Sequence, residues 1–150
     1  MKSKTLTLLE LWLEARTRFS NQLNVLSEPE LTKKLEPSQN SAGFLIRHIG
    51  DVEFLFAKNV FGASELKVSA KTLMAQHDSG EWVNLKELLE YVNDSFIALK
   101  SIIEKQTEDD WDTEITTNEF GVKTKAESLG RIVSHTAYHA GQLAITVKYG

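Results

Sequence analysis

Four histidines occur in the chain, and two of them lie four residues apart in the stretch His135-Thr-Ala-Tyr-His139-Ala-Gly-Gln142. At about 100° per residue on a helix, residues this far apart face the same way and can reach one ion. Ser128, His135, His139, Gln142 and Thr146 fall along one narrow line, with Arg131 just beside it. The rest of the segment, including Leu129, Ile132, Val133, Ala137, Ala140, Leu143 and Ile145, is apolar at nearly every azimuth. A helix of that kind is expected to be buried. Buried imidazole and amide groups without partners are costly, so the seam must be answered.

A third histidine, His48, is placed to answer it. Its neighbours at three, four and seven residues are Leu45, Val52 and Leu55, which puts it inside the apolar face of another helix. Three neutral imidazoles meeting in a bundle interior suit a divalent metal, with a fourth position left for water or substrate. Zinc or nickel is the expected cofactor. Taken singly, an HxxxH pair or a core histidine more often marks a hydrogen-bonded structural residue. Together, with no Asp or Glu in the last helix's seam to pair with them, His48, His135 and His139 favour metal. Thr136 follows His135, so the HExxH pattern of zincin peptidases is missing.

Around this set, Asp51 reads as an acceptor for the free nitrogen of His48 or as a surface carboxylate. Gln142 reads as a group orienting a ligand or bound water, or as a tie between two helices. Tyr138 reads as an aromatic wall, with proton donor as the alternative, and Gly141 as a site of close helix packing. His77 falls in a loop and reads as exposed rather than as a fourth ligand. The sequence offers no glycine-rich phosphate loop, Ser-His-Asp arrangement or paired carboxylates. Chemistry would therefore run through the ion, which lowers the pKa of a bound water or thiol.

The elements that must position these groups follow from periodicity and caps. Leu6, Leu9, Trp12, Leu13, Phe19, Leu23 and Leu26 predict a first helix over about 5–26. Ser27 and Glu30, with Pro29 between them, form a capping box for a short helix through about Leu35, ended by Pro37. Ser41 caps a second long helix, Ala42 to about Phe61, with Gly62 at its end. Arg47 and Glu53 point away from its apolar face and read as solvated charge. Residues 63–83 are irregular, and a connection of that length between neighbouring helices is uncommon. It could run the length of a bundle and set the next helix parallel to the second. Asn84 and Glu87 open a third long helix to about Gln106. Residues 107–123 read as a small hairpin or an extended loop. Thr124 and Glu127 form the capping box of the last helix, which runs to about Lys148.

At 150 residues, with 41% hydrophobic and 25% charged residues, the chain reads as one domain, 1–150. Four long helices without a convincing sheet predict an all-α four-helix bundle. A net charge of −4 argues against nucleic acid as partner. The sequence has no cysteine, so disulfides, thiolate ligands and a cysteine nucleophile are excluded. No stretch approaches a membrane span, and the N-terminal segment is broken by Glu10, Glu14 and Arg16, unlike a signal peptide; a cytoplasmic protein is expected.

SAGFLIRHIGDVEFLF in the second long helix and SHTAYHAGQL in the last resemble the DinB-like superfamily, which includes bacillithiol transferases and the metal-binding domain of the mycothiol-dependent isomerase. The resemblance covers essentially the whole chain. It implies an up-down-down-up bundle with a long crossover between the second and third long helices. It also implies a homodimer, a metal site on His48, His135 and His139, and a low-molecular-weight thiol as co-substrate. Thiol S-transfer is the reaction so implied, while hydrolysis follows only from generic metal-water chemistry. The rival from a different class is a non-catalytic helical module whose histidines or metal merely stabilise the bundle or a dimer. DNA binding, suggested by the superfamily's name, conflicts with the acidic balance. An open fourth position beside a pocket would favour catalysis, and a closed, packed seam would favour the rival.

Overall fold

The computed structural model describes residues 1–150, and its frame is four long helices: α1 (Lys4–Leu23), α2 (Ala42–Asn59), α4 (Leu85–Glu104) and α5 (Lys125–Tyr149). A five-residue helix, α3 (Lys71–Ala75), interrupts the long connection between α2 and α4. The one sheet is a hairpin of β1 (Glu114–Thr117) and β2 (Gly121–Thr124), paired antiparallel with Glu114 opposite Thr124 and Thr117 opposite Gly121. The protein is thus the all-α bundle expected, and the 107–123 segment resolves into the hairpin rather than the extended loop. No helix is long and apolar enough to cross a membrane.

Local chemistry sets the ends of these helices. The side chains of Ser3, Ser41, Asn84 and Thr124 accept the amides of Leu6, Phe44, Glu87 and Glu127, each satisfying an orphan donor of a first turn. Both capping boxes form, Ser27 with Glu30 and Thr124 with Glu127. The first opens only a 3₁₀ turn, Glu28–Thr32, shorter than the helix to Leu35 that the pattern predicts.

α2 packs chiefly on α4 and α5, and α1 on α5 and α4. Their buried faces build two apolar clusters. One gathers Trp12, Phe56, Phe61, Leu99, Trp111 and Ile132. The other gathers Phe19, Leu31, Leu45, Ile49, Trp82 and Leu143. Fully burying side chains of this size contributes about 1.5–3 kcal/mol each.

Between the clusters lies charge. Arg16, on α1 between Trp12 and Phe19, donates from Nε (2.9 Å) and Nη2 (3.1 Å) to the carboxylate of Glu53. The Ser95 hydroxyl donates to the same carboxylate at 2.8 Å, and the Arg16 guanidinium also donates to Val92 O and to Ser20. Glu53 is fully buried, which corrects the reading of it as solvated charge. A buried carboxylate survives only when paired and hydrogen-bonded, and α1 and α4 supply both. Arg47 is corrected in the same way. Its guanidinium lies over the Tyr91 ring at 3.6 Å and the Trp82 ring at 5.0 Å, and it donates to Asp51 and to Ser69 O.

Three further readings change. α5 is not buried all round: Ala137, Tyr138, Gly141, Ala144 and Ile145 form an exposed face. A Cβ at Gly141 would meet nothing within 4 Å, so this glycine does not serve close packing. Leu6, taken as part of the first helix's core stripe, is 44% exposed.

Candidate metal centre

α2 and α5 pack directly, and their facing histidines meet at the contact. One ring nitrogen from each of His48, His135 and His139 falls within 4.8 Å of the others. The ring centroids are 5.0 Å (His48–His135), 4.7 Å (His48–His139) and 4.4 Å (His135–His139) apart. His77 is exposed and bonds only Ala75 O, away from the cluster.

The outer partners of His48 and His139 fix which of their nitrogens faces inward. Thr72 Oγ1 donates to Asp51 Oδ2 at 2.7 Å, so its lone pair accepts the Nδ1–H of His48 at 3.0 Å. Gln142 Oε1 accepts the Nδ1–H of His139 at 2.6 Å. Both rings then carry their lone pairs on Nε2. The Nε2 atoms of His48 and His135 stand 3.1 Å apart, while Nδ1 of His135 is buried with no partner. Three ring nitrogens this close, with the outer protons of His48 and His139 held by oxygen acceptors, form a donor set that fits a divalent ion. Imidazole nitrogen suits zinc, copper, iron and nickel among common ions.

Burial also keeps the rings neutral, as metal ligands must be. It lowers His135 to about 3, with His139, His48 and Arg131 adding to the effect. His48 is lowered to about 4 by burial and by His139, against the opposing pull of Asp51. His139 is lowered by burial, with the Gln142 bond opposing.

Asp51 lies one residue further from His48 than the sequence indicates. Its fully buried carboxylate reaches His48 through Thr72, taking the Thr72 amide (3.0 Å) and hydroxyl on Oδ2. On Oδ1 it takes Arg47 Nε (2.8 Å) and the Tyr91 hydroxyl (2.5 Å). Burial and that bond push the Tyr91 phenol well above its ordinary pKa. Thr72 is the residue that sequence reasoning missed. It lies on α3 and is held against α2 by contacts that span the irregular connection. No periodicity in residues 63–83 signals it. Gln142 bonds His139 within α5 rather than a second helix, and the ring of Tyr138 stands edge-on to His139 at 5.1 Å.

A cavity of about 480 Å³ opens beside the three rings. Val52, Leu55 and Phe56 of α2 with Leu73 of α3 give it an apolar wall, and Arg131, Ser134 and Tyr138 of α5 with Glu119 of the hairpin a polar one. Tyr138 is 65% exposed and acts as a wall at the cavity mouth. The volume lies in the range of small-molecule sites.

The family model for the DinB superfamily matches residues 11–143. Among solved structures, the chain is similar to the mycothiol-dependent maleylpyruvate isomerase, with a TM-score of 0.72 and 19% identity over 95% of this chain and 63% of that one. A mutant of the same isomerase gives a TM-score of 0.69 at 18% identity, again over 95% of this chain and 63% of that one. A conserved protein from Enterococcus faecalis gives 0.70 at 17% identity, over 99% of this chain and 97% of that one. The chain thus spans less than two thirds of the isomerase's length, and identities this low speak to the fold alone. No curated protein matches the chain.

Proposed function

The chain belongs to the DinB superfamily, and from that premise we propose that it is a metal-dependent enzyme acting on a low-molecular-weight thiol. His48, His135 and His139 hold a divalent ion, zinc or nickel, in this reading. When bound, the ion lowers the pKa of a thiol or water beside it and so supplies a nucleophile at neutral pH. The convergence of the three imidazoles beside an open cavity carries the reading.

The chain's own groups bind and orient. Asp51, through Thr72, holds the His48 ring in one tautomer, and Gln142 does the same for His139. The α2 wall of Val52, Leu55 and Phe56 excludes water from one side of the site. A cysteine-free protein has no soft ligand of its own, and a thiol co-substrate supplies one. The similarity to an isomerase described as mycothiol-dependent supports a thiol co-substrate, and with it S-transfer is proposed ahead of hydrolysis. A cytoplasmic setting and a homodimer accompany this reading. The cavity mouth, rather than a closed seam, sets it above a purely structural role for the histidines.

The test is metal analysis of protein purified without a histidine tag, followed by a screen of thiols against electrophiles. Stoichiometric metal that disappears in His139→Ala, together with thiol-dependent turnover, supports the proposal. Stoichiometric metal retained by His139→Ala overturns the ligand set. Stabilisation by metal with no turnover for any thiol points to the structural role.

A further inference from the structure

We propose that Arg131 receives the carboxylate of the substrate, so that the site takes a small molecule with an apolar body, a carboxylate at one end and its reacting group at the three imidazoles. The inference rests on the metal-centre reading for the position of the reacting group. Arg131 itself is placed by the fold.

Arg131 lies one helical turn before His135 on α5, and both line the same cavity. It is the only cationic side chain on that lining. Its carboxylate neighbour, Glu119, stands 3.8 Å away, beyond hydrogen-bonding distance, and the two side chains are 46% and 69% exposed. Exposed pairs of this kind contribute little and are screened by salt, so a ligand that brings its own carboxylate displaces Glu119 at small cost. A guanidinium presents a planar fork that matches a carboxylate through two parallel bonds. Here the fork is steadied: it lies 5.4 Å from the centre of the Phe120 ring, which packs at 6.1 Å against Phe56. The hairpin loop thus holds the Arg131 head at the rim.

Charge and shape point the same way. Arg131 and Glu119 offset each other on the lining, and three neutral imidazoles would leave the charge of a divalent ion uncancelled, so the metal-loaded cavity attracts anions. The apolar part of the lining is hydrocarbon from α2 and α3, which suits a few carbons between the two ends of the ligand.

Calorimetric titration of zinc-loaded protein with 3-mercaptopropionate and 2-mercaptoethanol compares a thiol with and without the carboxylate. Wild type is expected to favour the carboxylate form on the order of tenfold, the scale of a charge-assisted bond. Arg131→Gln is expected to erase that preference while leaving zinc content and 2-mercaptoethanol affinity unchanged. Glu119→Gln is expected to increase it. Equal affinities in wild type, or a preference that survives Arg131→Gln, overturns the inference and leaves the metal centre standing. Should zinc fail to bind, the metal-centre reading falls. Butyrate against butyramide on the metal-free protein then decides Arg131: a preference lost in Arg131→Gln supports it, and no preference overturns it.

Discussion

The Thr72 hydroxyl lies 3.0 Å from Nδ1 of His48, a residue 24 positions earlier in the chain, and passes the bond on to Asp51. A short helix in the middle of an irregular connection thereby orients a candidate ligand on a long helix. Outer partners of this type are worth about 10–100-fold in metal affinity. Thr72→Val keeps the shape and removes the hydroxyl, so it should weaken zinc binding within that range, whereas Thr72→Ser should restore it. Competition against a chromophoric chelator measures both. Wild-type affinity in Thr72→Val would show that the link is idle.

The Arg16–Glu53 pair joins α1 to α2, with Ser95 of α4 on the same carboxylate. Removing one member strands the other charge in the interior, which costs about 3–5 kcal/mol. Glu53→Ala should lower the urea midpoint accordingly. The double replacement of Arg16 and Glu53 by Met should recover much of the loss, since the desolvation cost goes with both charges. Additive losses in the double variant would contradict this account.

Gly43 sits under the carbonyl of Trp82, and a Cβ there would meet that oxygen at 1.9 Å. Backbone cannot yield as a flexible side chain does. Gly43→Ala should therefore cost about 1–3 kcal/mol, the usual range for overpacking, and lift the end of the 60–84 connection from α2. Faster amide exchange at Thr72, in step with weaker zinc binding, would register the displacement. Unchanged exchange would show that the connection is held elsewhere.

In the metal-free protein, His48 and His135 titrate at about 4 and about 3, against 6.5 in the unfolded chain. Between those limits the unfolded chain binds more protons than the folded one. Stability is therefore full above pH 6.5 and falls as the pH drops through that window. Thermal melts of chelator-treated protein between pH 7 and 5 should show this decline. A variant with all three cluster histidines replaced by Gln should show a flatter profile; parallel profiles would place the proton uptake elsewhere.

What could be read from the sequence is what local rules determine. The capping boxes at Ser27 and Thr124 are contained within four residues, and both form. His135 and His139 share a face because of their spacing, and His48 falls on an apolar face because of its neighbours. Thr72 was not legible, since its role depends on the path of a connection without a repeating pattern. Nor were Arg16 and Glu53, whose burial requires a partner 37 residues away. The exposed side of α5 is hidden in the pattern for a related reason: Ala137 counts as apolar in a helical pattern, yet loses little by facing water. Asp51 stands out in the sequence as a partner for His48, but the Thr72 hydroxyl between them decides its distance from the ring.

The three imidazoles are only partly buried and belong to neither apolar cluster. Removal of an ion held there should therefore leave Trp12, Trp111, Phe19 and their neighbours packed. A chelated sample should keep its helical content, so emptied protein can serve as a folded control for every metal-dependent measurement.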